Sequence, residues 1–151
     1  MRRFAKFISA VTIFTTAASQ AEAICLAPSP TAPGGIISVA PRSFPVAKEF
    51  QDSSHVLTAK VISSKEKIED GFVSGILYRV QPLQMFKGNP PAPLSIYSER
   101  NSGGFSMDVG RTYLLFVQRQ GKKFAIDNCG YSDLLSNARQ TIEELNAIKA
   151  R

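Results

Sequence analysis

Between His55 and Asp127 the chain reads as five short runs rich in β-branched and aromatic residues, cut apart by Gly, Pro and Asn. They are "HVLTAKVIS" from His55, "FVSGILYRVQPLQMF" from Phe72, "APLSIYSE" from Ala92, "RTYLLFVQR" from Arg111 and "KFAID" from Lys123. Between them stand "KEKIEDG", a charged turn closed by Gly71, the turn "KGNPP", the loop "RNSGGFSMDVG" and the tight connection "QGKK". Gly75 and Pro82 lie inside the second run, where a Gly marks a bulge or sharp bend and a Pro needs an edge or a second irregularity. That strand is therefore expected to curve strongly.

Helical signals flank the strands. In "PVAKEFQDSS", Pro45 suits a first turn, and Val46 and Phe50 fall four apart on one face, which predicts a short helix. In "SDLLSNARQTIEELNAIKAR", Leu135, Ala138, Ile142, Leu145 and Ile148 recur at spacings of three or four with Ser132 or Asp133 as cap, which predicts an amphipathic helix. Five consecutive strands, a bent second one and a helix to cover an open end predict a mainly β fold: a five-stranded antiparallel barrel of the oligomer-binding (OB) type with a C-terminal α-helix. A two-sheet sandwich generally has about seven strands. In the fourth run, Leu114 and Phe116 are expected to be the deeper pair, with Ile142 and Leu145 packed against the barrel's end.

The amino-terminal text is of another kind. "MRRFAKFISAVTIFTTAASQAEA" has a basic head, an apolar middle shorter than the ~20 residues that span a bilayer, and an A-x-A end. It predicts a signal peptide over residues 1–23, cleaved after Ala23, a secreted or periplasmic protein, and a mature chain with no membrane span. Residues 24–45 hold Pro28, Pro30, Pro33, Pro41, Pro45 and the Gly34–Gly35 pair, and read as an extended Pro-rich arm. Its apolar patch "GGIISVA" is expected to dock on its own domain. Residues 46–151 then form the single folded domain.

Export gives the two cysteines their meaning. An even number of thiols in an oxidising compartment can pair and persist, and Cys25 and Cys129 allow one intramolecular connection. Closing a loop of about a hundred residues would stabilise the fold by about 4 to 5 kcal/mol in the chain-entropy model. A catalytic or metal-binding thiol would want a nearby His or more sulfur ligands, whereas the chain has one His and no third Cys. No metal site and no cofactor are therefore expected. The formal charge is +6; cleavage takes three cations and one anion and leaves +4. Lys and Arg are dispersed over the chain, which argues against a nucleic-acid partner.

Two clusters carry residue types with chemistry. "DSSH" contains Asp52, Ser54 and His55, the ingredients of a small hydrolase, but sequence neighbours rarely point at one another as a triad requires. A loop-and-cap role is the expected one. Tyr78, Arg79, Phe86, Lys87 and Tyr97 are candidates for a stacking platform for nucleotides or sugars, against the plainer expectation that Tyr78 and Tyr97 pair across strands while the two cations are solvated.

The ordered series "FQDSSHVLTAKVIS", "YRVQPLQMFKG", "PLSIYSE", "GRTYLLFV", "NCGYSDLL" resembles the netrin-module family of tissue inhibitors of metalloproteinases, particularly its bacterial relatives. The resemblance spans roughly residues 47 to 135, and its most specific pieces are Phe86-Lys87-Gly88 and the strand from Gly110 to Phe116. It implies an OB-type barrel, secretion, disulfides and, in the animal members, inhibition of zinc proteases. There a Cys-x-Cys opens the mature chain and the first Cys chelates the protease zinc through its amine and carbonyl. Cys25 resembles the second of that pair, Ala23 takes the place of the first, and Ser102-Gly103-Gly104 stands where that first Cys would find its partner.

Together these readings lead to an exported, non-enzymatic protein-binding module, with a Cys25–Cys129 disulfide and a partner surface made by Ile24, Cys25, Ser102, Gly103 and Gly104. Its expected partner is another protein, with a metalloprotease as the specific case. The alternatives are the hydrolase using Asp52, Ser54 and His55, or a passive envelope component.

Overall fold

The computed structural model describes residues 26–27, 38–39, 44–100 and 104–150. In the arm, β1 (Leu26–Ala27) and β2 (Ser38–Val39) pair antiparallel, Leu26 opposite Val39 and Ala27 opposite Ser38. The described part of "GGIISVA" thus finds its strand partner within the arm itself.

A helix, α1 (Val46–Asp52), opens the domain, with Pro45 at its N-cap position rather than inside the first turn. Then come β3 (His55–Glu69), β4 (Phe72–Lys87), β5 (Leu94–Glu99), β6 (Thr112–Gln120), β7 (Lys123–Ile126), the two-residue β8 (Asp133–Leu134) and α2 (Arg139–Lys149). Strands β3 to β8 form one antiparallel sheet in the order β5-β4-β3-β6-β7, with β8 also on β6. Edge strands β5 and β7 come within 8 Å of each other, with no hydrogen-bonded ladder between them among the described residues.

The charged stretch read as a turn is mostly strand. Lys65 to Glu69 continue the β3–β4 ladder, and the turn shrinks to Asp70 and Gly71, with φ of 52° and 81° between the paired Glu69 and Phe72. Two successive positive φ values are what a two-residue type I′ hairpin requires, and Asp-Gly is a preferred pair for it. The expected irregularities in β4 are present. The register slips between Lys67 and Ile68 opposite Gly75, and between Thr58 and Ala59 opposite Pro82. Two further slips lie at Val56/Leu57 and Val61/Ser63. Each extra residue bends the ribbon and raises its twist, and four in one hairpin roll the sheet. Gly75 also has a contact reason: a Cβ there would come 2.5 Å from the Ser98 carbonyl oxygen and 2.6 Å from the Tyr97 ring.

Rolling gives the sheet two buried faces. Leu57, Val61, Val80, Ile96, Leu115 and Val117 fill the concave one, joined by Phe105 and Met107 from the loop after β5. On the convex face Val56, Phe86, Leu114 and Phe116 meet Val46 and Phe50 of α1 and Ile142 and Leu145 of α2. The expectation for β6 is thus corrected in one respect. Leu114 and Phe116 are fully buried, but beneath the two helices, while Leu115 and Val117, equally buried, belong to the concave core. Helix α2 covers the outside of the sheet rather than an open end.

The helix also starts later than its periodicity suggested. Its N-cap position is Ala138. The Ser132 hydroxyl accepts from the Phe116 amide at 2.8 Å, and the Asp133 carboxylate accepts from the Leu134 amide at 2.6 Å and the Asn137 side chain at 3.3 Å. Ser132 is spent on holding its segment against β6 and Asp133 on bonds within its own turn, so neither caps the helix, which begins after Ala138.

Candidate functional site

Of the expected partner surface, Ile24, Cys25, Ser102 and Gly103 lie outside the described residues, and only Gly104 can be placed. It sits so close on the end of β5 that a Cβ would collide with the Glu99 carbonyl, with the Ser98 hydroxyl also within 3.1 Å. A residue with a side chain would push this loop off the strand, so the glycine holds the loop's exit against the sheet.

The "IDNCGYS" stretch is fixed from several directions. The Asp127 carboxylate accepts from the Cys129 amide at 2.9 Å, and the Asp127 carbonyl accepts from the Gly130 amide at 3.2 Å. Glu49 of α1, only 3% exposed, accepts from the Tyr131 amide at 2.6 Å through Oε2. Its other oxygen occupies the space a Gly130 Cβ would need. The Tyr131 hydroxyl donates to the Phe44 carbonyl at 2.8 Å, and the two rings meet edge to face at 6.1 Å. Cys129 does not stand as a free thiol. Its expected partner Cys25 lies outside the described residues.

Asp52, Ser54 and His55 are not assembled into a relay. The Asp52 carboxylate pairs with Lys48 one helical turn back at 2.8 Å. The Ser54 hydroxyl and amide both donate to the Val117 carbonyl at 2.8 Å, tying the entrance of β3 to β6. The His55 ring lies on Phe124, centroids 5.3 Å apart, and fills the space beside Gly88. Burial, followed by the nearby Arg119 charge, holds its pKa below the ordinary imidazole value. All three side chains are engaged in structural contacts, though none of them caps α1.

Nor is the aromatic platform formed. Tyr78 is opposite Ile96 and Leu77 opposite Tyr97, so the two tyrosines point to opposite faces and do not pair. Tyr78 is buried and its hydroxyl accepts from the Met107 amide at 3.2 Å. Phe86 is under the helices, and Lys87 donates to the Phe50 and Gln51 carbonyls at 2.8 and 2.7 Å, satisfying the end of α1.

Tyr97 instead belongs to a groove of about 340 Å³ along the seam between β5 and β7. The ammonium groups of Lys67 and Lys123 lie 5.5 and 4.4 Å from its ring centre. Three strands distant in sequence supply these residues, and no local pattern announces their meeting. Compared with known protein families and curated proteins, the chain matches no family model and no curated sequence. Among the described residues no group of His, Cys, Asp and Glu is arranged to hold a metal, and no helix is long and apolar enough to cross a membrane.

Proposed function

We propose that this protein is an exported binding module built on an OB-type barrel, which presents its amino-terminal arm to a protein partner, in the manner of the metalloproteinase inhibitors its sequence resembles. The strand order β5-β4-β3-β6-β7, with β5 and β7 approaching each other, supports the barrel, since joining those two edges would close a five-stranded antiparallel sheet on itself. The observation that carries the functional reading is the anchorage of Cys129, whose turn is held by Asp127, by the buried Glu49 and by Tyr131. A bridge from Cys25 to that turn would give the arm a rigid base while leaving the mature amine at Ile24 and the glycines at 103 and 104 to meet the partner. Backbone groups at such a tip suit an extended chain or a metal ion in a protease cleft. Ser54 and Asp52 are occupied by structural bonds, which favours this reading over the hydrolase.

The first test is peptide mapping of exported, unreduced protein, which should yield a Cys25–Cys129 cross-linked fragment and no free thiol; two free thiols would remove the base of the proposal. The second is inhibition of a zinc-protease panel by the mature chain. Acetylating the amine should abolish inhibition that works through metal chelation, since an amide nitrogen is a poor ligand. A bulky replacement at Gly103 should weaken binding that works through shape. A partner held equally well after both changes would refute this surface.

A further inference from the structure

Among the described residues, the groove between β5 and β7 is lined by the sheet and its connecting turns. Its walls are apolar, formed by Leu77, Phe124 and Pro93, and its rim carries Lys67, Lys122 and Lys123. Apolar walls with a few convergent polar groups, at the small end of the ~300 to 1,000 Å³ range, are what small-molecule sites have in common.

The charges at this rim are arranged rather than scattered. Lys67 arrives from β3 and Lys123 from β7, and both ammonium groups settle over the one ring of Tyr97. The Tyr97 hydroxyl donates to the Ser74 carbonyl at 3.0 Å, which fixes the ring that receives them. Cation–π attraction offsets part of the repulsion between two like charges brought this close. One carboxylate, Glu69, takes part, and it is paired with Lys67. Neither Lys122 nor Lys123 has a carboxylate within 4.0 Å among the described residues. The rim therefore keeps an excess of two positive charges beside an apolar trough.

The width of the seam decides what kind of occupant fits. Inserting a strand between β5 and β7 would require about 9.5 Å between them, twice the ordinary interstrand spacing. Their Cα atoms come within 8 Å, so the seam is too narrow there to be filled by an added strand. We propose that the groove between β5 and β7 binds a small organic anion, with a phosphate, sulfate or carboxylate head at Lys67, Lys122 and Lys123 and an apolar body along Phe124, Leu77 and Pro93.

The test uses the mature chain and three probes followed by amide NMR: octyl phosphate below its micelle-forming concentration, inorganic phosphate, and octyl glucoside. Octyl phosphate should bind saturably at one site, with shifts centred on Tyr97 and Lys122 to Phe124, and should weaken as salt is raised. Inorganic phosphate, lacking the body, and octyl glucoside, lacking the charge, should each bind at least about tenfold more weakly. Lys67→Gln and Lys123→Gln should each lower octyl phosphate affinity by about fivefold, with unfolding temperatures near the parent's showing that the sheet is intact. Cosedimentation with phosphatidylglycerol vesicles that depends on these lysines would assign the head to a lipid, and its absence to a soluble ligand. Octyl glucoside binding as well as octyl phosphate, inorganic phosphate binding as well as octyl phosphate, or lysine variants that bind undiminished would each overturn the proposal.

Discussion

The β3–β4 hairpin is one continuous ladder with two very different ends. From Val56 to Val61 nearly every β3 residue is buried, because one face looks into the concave core and the other lies under α1 and α2. From Ile62 onward the same strand is exposed or nearly so, and at its tip Ile68 and Phe72 stand 65% and 79% exposed. Backbone pairing runs through both ends, and the register slips at Val56/Leu57, Thr58/Ala59 and Val61/Ser63 make the inner one the less regular, so ladder regularity does not explain the inner end's burial; what differs is whether β6 and the helices are present. The ladder to β6 ends at Lys60 opposite Thr112, and among the described residues Ser63 to Glu69 have no strand partner on that side. The charges of Lys65, Glu66 and Lys67 on that edge discourage pairing with another chain. Burial specifies the inner end, and turn chemistry at Asp70-Gly71 specifies the outer one.

The largest effect expected from breaking this contrast is at Phe116, fully buried on the convex face of β6 beneath both helices. Phe116→Ala should destabilise the protein by about 3 to 5 kcal/mol, read from the urea midpoint at unchanged slope. A loss under about 1 kcal/mol would mean that the helices do not hold this face closed.

Next comes the buried carboxylate that joins α1 to the Cys129 turn. Glu49→Ala leaves the Tyr131 amide without its acceptor and should cost about 1 to 3 kcal/mol. Gly130→Ala should destabilise the parent by driving a methyl into the Glu49 side chain, and should do so markedly less when Glu49 is already Ala. Additive losses in the double variant would show that the two positions do not compete for the same space.

How much of this was legible beforehand follows the same division. Strands were readable where composition and local turn signals agreed, and the bends at Gly75 and Pro82 were readable because those residues are poor members of a flat ladder. The outer half of β3 was not, since Lys65-Glu66-Lys67 has the composition of a solvated turn and becomes strand only through pairing with Ile76 and Leu77 and the Asp-Gly reversal. The start of α2 was missed because Ser132 and Asp133 are good caps in isolation, and only the fold shows that β6 claims the Ser132 hydroxyl. Which face of β6 looks inward was undecidable by alternation, as both faces are apolar and both are covered. Among candidate site residues, DSSH offered residue types alone, and the tie of Ser54 to Val117 and the packing of His55 on Phe124 are set by the fold. Glu49 and the Lys67–Tyr97–Lys123 cluster depend on how the sheet rolls.

His55, at the inner end of the hairpin, gives a smaller effect with a defined sign. Its pKa in the folded protein is lowered, first by burial and then by Arg119, so the unfolded chain binds a proton more readily than the folded one. Stability from this group is present in full above the unfolded value of about 6.5 and is lost as pH falls through that value towards the lower folded one. Urea midpoints of the parent should fall between pH 7.5 and 5.5 more steeply than those of His55→Phe. Parallel curves would show that another group is responsible for the acid limb.

The smallest effect should be at the outer tip, where the contrast is tested from the other side. Phe72 has one of the largest apolar side chains in the domain, and if size alone governed its contribution, Phe72→Ser would be as damaging as a core truncation. Its ring is 79% exposed, and its backbone pairs with Glu69 whatever side chain it carries. Little apolar area leaves water on folding there, and the reversal is set by the positive φ angles of Asp70 and Gly71. Phe72→Ser is therefore expected to change stability by less than about 0.5 kcal/mol and to leave the amide exchange of Val56 to Val61 unaltered. A loss above about 1 kcal/mol would show that the tip is covered in solution, and that the outer hairpin is specified by burial as the inner one is.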